Sequence, residues 1–489
     1  MTGAGAYALA LAAGAIATLA FPEPDVAPLA WVALAPLLVA ARGAPLRRGL
    51  GLGLIYGFGF FGVLLYWQSL VGWLAWALLV TLQSLFIALF GGAWAVASRR
   101  SNAIVRIAVG AALWVAVEYL RSVIPLGGFT WGQLVQSQHD LTWFIRTAAW
   151  AGGWAVSLQV AVLNGLAAEL WACIRARRTR LAPAYLGAVV AVVAAPAALP
   201  SVAAGGERAR LALVQGNVER NFEGDFTDYV SDLVGRHGRL TAGLAGASPD
   251  LVVWPESAVA LDPYRNAGIR RALTAAARAV DAPMLVGSEL DIDESHRKVV
   301  VLHVAPDGQL EGFYQKRHHV PFGEYIPLRP LFDWIPMLDQ IPQDAVSGPG
   351  PEVFDLAGGP VATVISFEGD FGSLVRESMA AGGRLLVVAT NTSTFGYTWN
   401  SAQHVAFSQI RAVENGVWVA HGALSGISAF IRPDGTVAAS TPLWTATTLV
   451  GDVAFATRAT FYARTGDWLP LGSALVALAG LAAGARRSG

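Results

Sequence analysis

The chain is dominated by apolar stretches of the length that crosses the roughly 30 Å hydrocarbon layer of a membrane as a helix. Their composition is unusual for a soluble protein, since 54% of all residues are hydrophobic and 14% are charged. The stretches cover residues 5–21, 27–41, 49–68, 72–97, 103–120, 148–172, 181–199 and 467–484. We therefore predict a polytopic α-helical membrane domain with about eight transmembrane helices: seven in residues 1–200, and one with a short cytoplasmic tail in residues 465–489.

Residues 205–455 lie between the seventh and eighth stretches and have the patterning of a soluble domain. Runs rich in Val, Ile and Leu predict strands at 209–215, 250–254, 283–288, 298–305, 361–366, 384–391, 417–421 and 427–431. Helical patterns lie between them at 226–245, 265–280, 370–381 and 401–414. Apolar runs without strict alternation indicate strands buried on both faces, as in layered α/β domains.

Arginine clusters in the short loops predict the orientation of the chain. They comprise Arg42, Arg47, Arg48, Arg99, Arg100, Arg106, Arg175, Arg177, Arg178, Arg180, Arg486 and Arg487. With eight crossings all of them fall on one side, and loops rich in Lys and Arg face the cytoplasm. We therefore predict a multi-pass protein of the cytoplasmic (inner) membrane, with residues 205–455 extracytoplasmic.

Charge and cysteine content exclude other classes. Lys plus Arg and Asp plus Glu both number 34, so the formal net charge is zero and no basic domain suggests a nucleic-acid partner. Cys173 is the sole cysteine, which rules out an intrachain disulfide framework and a cysteine metal cluster.

The segment 121–147 is too polar to span a membrane and too apolar to be a free loop, which predicts an interfacial or re-entrant element on the outer face. Glu118 precedes it in an otherwise apolar run, where an ionisable side chain is a functional candidate. Alternatively, Glu118 and Arg121 pair with each other at i and i+3.

Polar residues follow three of the apolar strand runs in residues 205–455. Glu256 follows the run Leu251-Val-Val-Trp-Pro, Lys316 follows Phe313-Tyr-Gln, and Ser366 follows Ala362-Thr-Val-Ile. Each signal is weak by itself, because a single carboxylate after a strand is usually solvated. The neighbouring His318 and His319 suggest a metal, but no further histidine or carboxylate stands at ligand spacing, and we predict neither metal nor cofactor.

Together these motifs resemble the nitrilase superfamily, in which a Glu takes a proton from a Cys nucleophile and a Lys stabilises the oxyanion. With helices on both sides, the chain resembles the apolipoprotein N-acyltransferase family over nearly its whole length. The matching motifs are Gly127-Gly-Phe-Thr-Trp131, Val214-Gln-Gly-Asn217, Trp254-Pro-Glu256, Pro321-Phe-Gly-Glu324, Ser366-Phe-Glu368, Thr390-Asn-Thr, Ser401-Ala-Gln403 and Arg411-Ala-Val-Glu414.

The resemblance implies a nitrilase-like αββα sandwich for residues 205–455 and a role for each matching residue. Glu256 would be the base, Lys316 the oxyanion-stabilising cation, and Ser366 would stand at the nucleophile position. The remaining implied or candidate site residues are the supporting carboxylates Glu324 and Glu368, the acyl-chain contacts Phe367 and Trp131, and Arg121.

Ser366 departs from the family, which has Cys at this position, and a hydroxyl is far harder to ionise than a thiol. Cys173 cannot replace it, because the predicted topology puts Cys173 at the cytoplasmic end of its helix. Three explanations of Ser366 are open. It is an engineered Cys-to-Ser change, the protein is a natural paralogue that has lost activity, or the serine itself is a working nucleophile.

The family activity implied is acyl transfer from a phospholipid, through an acyl-enzyme, to the α-amine of a diacylglyceryl-modified apolipoprotein. Two other classes remain open: a membrane-tethered amidase that uses water as acceptor, and a non-catalytic lipid- or lipoprotein-binding protein.

Overall fold

The computed structural model describes residues 3–99, 101–203, 205–219, 223, 225–332, 334–356 and 358–486. Its helices are α1 Gly3–Ala17, α2 Ala30–Ala33, α3 Ala35–Ala41, α4 Leu46–Leu64, α5 Trp73–Ala97, α6 Ala103–Arg121, α7 Ala148–Ala151, α8 Gly153–Arg175, α9 Ala182–Ala194, α10 Phe226–Ala242, α11 Ala267–Val280, α12 Gly372–Ala380, α13 Asn400–Asn415, α14 Phe461–Thr465 and α15 Trp468–Arg486. Its strands are β1 Arg208–Gln215, β2 Leu251–Val259, β3 Met284–Asp291, β4 His296–Val304, β5 Leu310–Gln315, β6 Asp344–Ala345, β7 Val353–Leu356, β8 Gly359–Ile365, β9 Leu385–Thr390, β10 Val419–Ala423, β11 Ala429–Ile431, β12 Val437–Ser440 and β13 Thr447–Ala454.

The chain divides into two compact units, which we call the membrane unit and the α/β unit. The membrane unit comprises Met1–Ser201, Thr398–Ala406 and Thr465–Gly489. The α/β unit comprises Val202–Tyr397 and Phe407–Arg464.

Six helices among the described residues are long and apolar enough to cross a membrane, where the sequence predicted about eight. They are Gly3–Ala20, Trp73–Ala97, Ala103–Arg121, Gly153–Arg175, Thr179–Ala198 and Trp468–Arg486. The predicted stretch 27–41 is a shorter apolar segment broken into turns and short helices. The predicted stretch 49–68 is the 19-residue helix α4, whose Arg47, Arg48 and many glycines lower its hydropathy.

Helix α4 nevertheless packs at the centre of this unit through glycine. A Cβ atom added at Gly53 would lie 2.2 Å from the backbone oxygen of Ile87 in α5. On the other side of α4, a Cβ atom at Gly59 would lie 2.2 Å from the backbone oxygen of Leu11 in α1. Small residues allow such close approach between helices in membranes. The glycines that lower the hydropathy of α4 are therefore required by its packing.

One end of the membrane unit carries arginines. Arg106, near the start of α6, bonds Glu169 near the end of α8 with Nε to Oε1 at 2.6 Å, and Arg42, after α3, reaches the same carboxylate at 3.3 Å. The ends of three helices therefore meet where the arginine clusters lie. Arg100 and Arg487, which also entered the orientation argument, lie outside the described residues.

Two of the four points at which the chain passes between the units, after Ser201 and before Thr465, lie near the opposite end of α8. This helix has 23 residues and is about 35 Å long. Arg146 Nη1 donates to the Leu199 oxygen at 3.0 Å and fixes the segment that follows α9. Trp154, at the start of α8, donates to Asp467 just before α15 at 2.7 Å. These two connections therefore leave the membrane unit at the end away from the arginine clusters.

The segment after α6 folds back into the membrane unit. Residues 130–139 are buried throughout and include a short 3-10 helix, Leu134–Gln138. Arg121 Nη1 donates to the oxygens of Phe129 and Trp131 at 3.0 and 2.7 Å, and Glu118 Oε1 accepts from the Leu134 backbone nitrogen at 2.8 Å. The two charged side chains thus hold irregular backbone, which needs such partners when it is removed from water.

The α/β unit is a sandwich of two sheets. The first has the order β13-β1-β2-β3-β4-β5, with β6 paired to β4, and the second has the order β12-β11-β10-β9-β8-β7. Side chains such as Leu213, Val253, Ile365 and Val387 from the two sheets form one core.

Helices cover the outer faces of this sandwich. Helices α10 and α11 pack on the first sheet in a second core that includes Val234 and Leu273. On the second sheet, α12 packs against β8, and Ser408 of α13 bonds His421 of β10. The predicted αββα architecture is confirmed.

The strand carrying Glu256 is longer than the sequence predicted. Instead of ending at residue 254, β2 continues to Val259, and its register against β3 shifts between Trp254 and Val259. Ser257 in this irregular stretch has φ 59°. Bulges of this kind re-aim side chains beside active sites, and the proline at 255 cannot donate a ladder hydrogen bond.

Candidate active site

Three strand ends and the irregular part of one strand in the α/β unit carry the candidate residues. Glu256 lies in the irregular part of β2, Lys316 follows β5, Ser366 follows β8, and Thr390 is the last residue of β9. Strands β8 and β9 are parallel neighbours in the second sheet, whereas β2 and β5 belong to the first. Parallel strands end at the same edge of a sheet, which is where α/β folds build their sites.

Lys316 lies between two carboxylates in the interior. Its side chain is 1% exposed, and its Nζ atom is 2.9 Å from Glu256 Oε1 and 2.6 Å from Glu324 Oε1. Glu256 Oε2 accepts a further hydrogen bond from the backbone nitrogen of Asn391 at 3.0 Å. The sequence candidates Glu256, Lys316 and Glu324 therefore form one charged cluster.

The pKa values of the two carboxylates in this cluster are shifted in opposite directions. Burial raises the pKa of Glu256, and the charge of Glu324 adds to this effect, although the ammonium of Lys316 opposes both. Burial also disfavours ionised Glu324, but Lys316 and His319 outweigh it and hold the pKa of this carboxyl below its usual range. Burial would lower the pKa of Lys316, yet the two carboxylates raise it above its usual value. Lys316 therefore stays charged and is suited to stabilising a negative oxygen. Glu256, whose pKa is raised, is suited to proton transfer.

Ser366 occupies a strained turn between β8 and α12. Its φ of 49° is a left-handed value that a serine seldom adopts, and the chain continues through the 3-10 turn Ser366–Asp370 into α12. The Ser366 Oγ atom lies 3.1 Å from Thr390 Oγ1, and the Ser366 hydroxyl opposes the effect of burial on the pKa of Glu256. Such strand-to-helix turns present a nucleophile in other α/β enzymes.

Glu368 fixes the backbone on both sides of this turn. Its fully buried carboxylate accepts from the backbone nitrogen of Ile365 at 2.8 Å and from Tyr314 Oη at 2.8 Å. Its other oxygen accepts from the backbone nitrogens of Arg317 and His318 at 2.6 and 3.0 Å. One side chain therefore ties the Ser366 turn to the segment that follows Lys316.

We expect Glu368→Gln to lower the free energy of unfolding by about 2–4 kcal/mol, because an amide would turn a donor toward buried N–H groups. Thermal unfolding of the detergent-solubilised chain measures this. The matched control is Glu377→Gln, since Glu377 is half-exposed and bonds Arg317 at the surface at 2.7 Å; we expect about 1 kcal/mol or less there. Equal losses for both variants would contradict the anchoring role of Glu368.

Aromatic rings extend from the turn. Phe367 stacks on the His318 imidazole at 5.4 Å between centroids, and Phe371 contacts both rings edge-on at 4.9 and 4.4 Å. Burial, reinforced by the positive charge of Lys316, lowers the pKa of His318 to about 4. A neutral imidazole and two phenyl rings thus give the turn an apolar wall.

The two candidates of the membrane unit are buried there. Trp131 is 3% exposed, stacks on Phe129 at 5.2 Å and donates through Nε1 to Gln403 Oε1 at 2.9 Å. Gln403 also accepts from Trp67 at 3.0 Å. Arg121 binds backbone oxygens as described above, with its guanidinium 5.4 Å from the centre of the Phe61 ring.

Asp25, His139 and Asp140 are the described group whose spacing could suit a metal ion. The His139 ring places Nε2 at 2.9 Å from Asp25 and Nδ1 at 3.1 Å from Asp140. Each ring nitrogen therefore faces its own carboxylate, which is an ion-pair arrangement and leaves neither nitrogen directed at a shared metal position.

Sequence reasoning did not assign roles to Thr390, Asn391 or Tyr314. Thr390 and Asn391 belong to a motif noted above, and Tyr314 looked like an ordinary buried strand residue. Their position at strand ends, beside residues already chosen, is the signal that could have found them.

Comparison with known proteins gives the family of each part of the chain. Residues 210–462 match the carbon-nitrogen hydrolase family model, so the α/β unit is a domain of the carbon-nitrogen hydrolase class. Residues 13–166 match the model described as the apolipoprotein N-acyltransferase N-terminal domain.

Two relatives match this chain over nearly its whole length, across both the membrane unit and the α/β unit. An apolipoprotein N-acyltransferase of Geobacter metallireducens is 31% identical over 94% of this chain and 92% of its own length. Another, from Azotobacter vinelandii, is 32% identical over 98% of this chain and 95% of its own. The chain belongs to the apolipoprotein N-acyltransferase family, and the resemblance drawn from its motifs is confirmed. A solved amidase from Nesterenkonia sp. matches 54% of this chain and 95% of its own at 17% identity, with a TM-score of 0.39.

Proposed function

We propose that this chain moves a fatty acyl group from a phospholipid to the α-amine of a diacylglyceryl-modified apolipoprotein. The observation that carries the proposal is the buried Lys316, shared by Glu256 and Glu324, beside the strained Ser366 turn. A family of acyltransferases and a unit of membrane helices support lipids as donor and acceptor.

In the first step, Ser366 Oγ attacks the ester carbonyl of the phospholipid while its proton passes to Glu256. The ammonium of Lys316 stabilises the negative oxygen of the tetrahedral intermediate. The ester C–O bond then breaks, Glu256 returns the proton to the departing alkoxide, and an acyl-Ser366 ester and a lysophospholipid result.

In the second step, the neutral α-amine attacks the acyl-Ser366 carbonyl and gives a proton to Glu256. The intermediate collapses with cleavage of the bond between the acyl carbon and Ser366 Oγ, and Glu256 returns the proton to Ser366 Oγ. An amide leaves and the enzyme is regenerated. Phe367 is the proposed acyl-chain contact at the turn, and Trp131 the proposed lipid contact of the membrane unit. We propose that Glu324 and Glu368 support the site through Lys316 and the turn, and Arg121 through the segment that contains Trp131.

Product analysis tests this function. The full-length chain in detergent is incubated with a phospholipid carrying a labelled acyl group and with a synthetic diacylated lipopeptide that has a free N-terminus. We expect the label in an amide at the lipopeptide N-terminus. Label found only in free fatty acid would indicate a hydrolase, and unchanged phospholipid with retained lipid binding would indicate a binding protein.

We also propose that the α/β unit is extracytoplasmic and that the membrane is the cytoplasmic one. The first and the last of the four connections to this unit leave the membrane unit at the end opposite the arginine clusters. Since arginine-rich ends face the cytoplasm, that geometry supports the orientation.

A single engineered cysteine tests the orientation. In a Cys173→Ser background, Ser201→Cys is expected to react in intact spheroplasts with a membrane-impermeant maleimide, since Ser201 is exposed at the end of the membrane unit. The control is Arg178→Cys, at the arginine end, which should react only after lysis. The reverse pattern would overturn the orientation.

A further inference from the structure

Thr390 contacts the proposed nucleophile but has no role in the steps above. It is the last residue of β9, is 0% exposed, and places its Oγ1 atom 3.1 Å from Ser366 Oγ. The other five residues of this strand are apolar and buried. A buried hydroxyl costs free energy unless it is hydrogen-bonded, and the partner found here is the reacting oxygen itself.

The direction of this bond follows from counting protons. Heavy-atom positions allow either hydroxyl to donate. Glu256, however, receives the Lys316 ammonium on Oε1 and the Asn391 backbone N–H on Oε2, which is the environment of an ionised carboxylate. An ionised carboxylate only accepts, so once the single Ser366 proton moves to Glu256, as the first step requires, Thr390 is left as the donor.

We propose that Thr390 is a further catalytic residue, whose hydroxyl donates to Ser366 Oγ and stabilises the charge that develops there as the proton moves to Glu256. This inference rests on the proposed function, because it assigns Ser366 as the nucleophile. No proton is transferred by Thr390, and its O–H bond stays intact throughout.

The identity of residue 366 determines how much this donor contributes. An oxygen nucleophile concentrates its charge on a small atom and is hard to ionise, whereas a thiolate forms readily and its larger sulfur is a weak acceptor. Loss of the Thr390 hydroxyl should therefore slow a serine nucleophile much more than a cysteine at the same place.

The test measures acylation alone. Full-length chain in detergent is mixed with a p-nitrophenyl ester of a fatty acid, and the first turnover is followed by nitrophenolate release and by mass spectrometry of residue 366. This leaving group departs without a proton, so the rate reports on activation of the nucleophile. The variants are Thr390→Val, which keeps the shape, and Thr390→Ser, which keeps the hydroxyl, each with Ser366 or with Ser366→Cys.

With Ser366, we expect Thr390→Val to slow acylation about tenfold to hundredfold, as for loss of a hydrogen bond to a group that becomes charged. Thr390→Ser should stay within about threefold of the parent, and with Ser366→Cys the effect of Thr390→Val should also be about threefold or less. Melting temperatures show whether every variant is folded.

Three results would overturn the inference: no effect of Thr390→Val with Ser366, an equal loss in both backgrounds, or no acylation of Ser366 in the parent chain. The proposed function fails separately. If Ser366 is acylated in a Thr390-dependent way but no N-acylated lipopeptide forms, the role of Thr390 stands and the transferase assignment does not.

Discussion

Replacing Ser366 with cysteine is expected to raise the rate of N-acyl transfer at least about a thousandfold, because deprotonating a hydroxyl adds several kcal/mol to the barrier. The Thr390 hydroxyl reduces this handicap without removing it, since one hydrogen bond cannot offset so large a difference in acidity. The substitution exchanges one atom for a larger one at a strand end, so the fold should survive it.

The measurement is N-acylation of a diacylated lipopeptide with phospholipid as donor, compared between parent and Ser366→Cys. Ser378→Cys is the matched control: Ser378 is fully buried in α12, where its hydroxyl bonds the Leu374 oxygen, and its replacement should leave the rate nearly unchanged. A folded but inert Ser366→Cys would favour a binding protein. Full activity of the serine form would show that the argument for a thiol is wrong.

Replacing Lys316 with methionine should abolish transfer, lowering its rate by at least about a thousandfold, because oxyanion stabilisation is lost. The same change leaves Glu256 and Glu324 facing each other in the interior without their shared cation. Removing one partner from a buried ionic group typically costs about 3–5 kcal/mol of stability.

Two further variants separate the effects of Lys316→Met on catalysis and on folding. Lys316→Met combined with Glu256→Gln and Glu324→Gln should recover much of the melting temperature but none of the activity, since no buried charge remains unpaired. Lys298→Met is the control, because Lys298 is partly exposed and lies 5.4 Å from the centre of the Phe313 ring. A Lys316→Met chain that melts and transfers like the parent would contradict the assigned cluster.

The layered α/β fold could be predicted because its strands are continuous apolar runs and its helices have clear periodicity. Strand β13 was missed, although it pairs with β1 along its whole length, because its exposed edge position leaves it without a continuous apolar run. Helix α4 was predicted from its apolar character, but the role of Gly53 and Gly59 depends on which helices lie beside it, and sequence spacing does not encode that.

The sequence predicted which residues form the candidate site better than it predicted the contacts between them. Glu256, Lys316 and Ser366 were chosen because each follows an apolar strand. That Glu368 binds the backbone of Arg317 and His318, some fifty positions earlier in the chain, depends on the packing of two sheets. Thr390 looked like a core residue because it ends an apolar strand, and only the fold brings its hydroxyl to Ser366.

The most direct test of the account is a single-turnover chase with the Ser366→Cys chain. Labelled phospholipid is added first, and excess donor is removed. We expect one acyl group on residue 366, bound as a hydroxylamine-sensitive thioester, and its transfer to the amine of an added diacylated lipopeptide in step with its loss from the protein. An acyl group on another residue, or its release as fatty acid with the lipopeptide unmodified, would contradict transfer through residue 366.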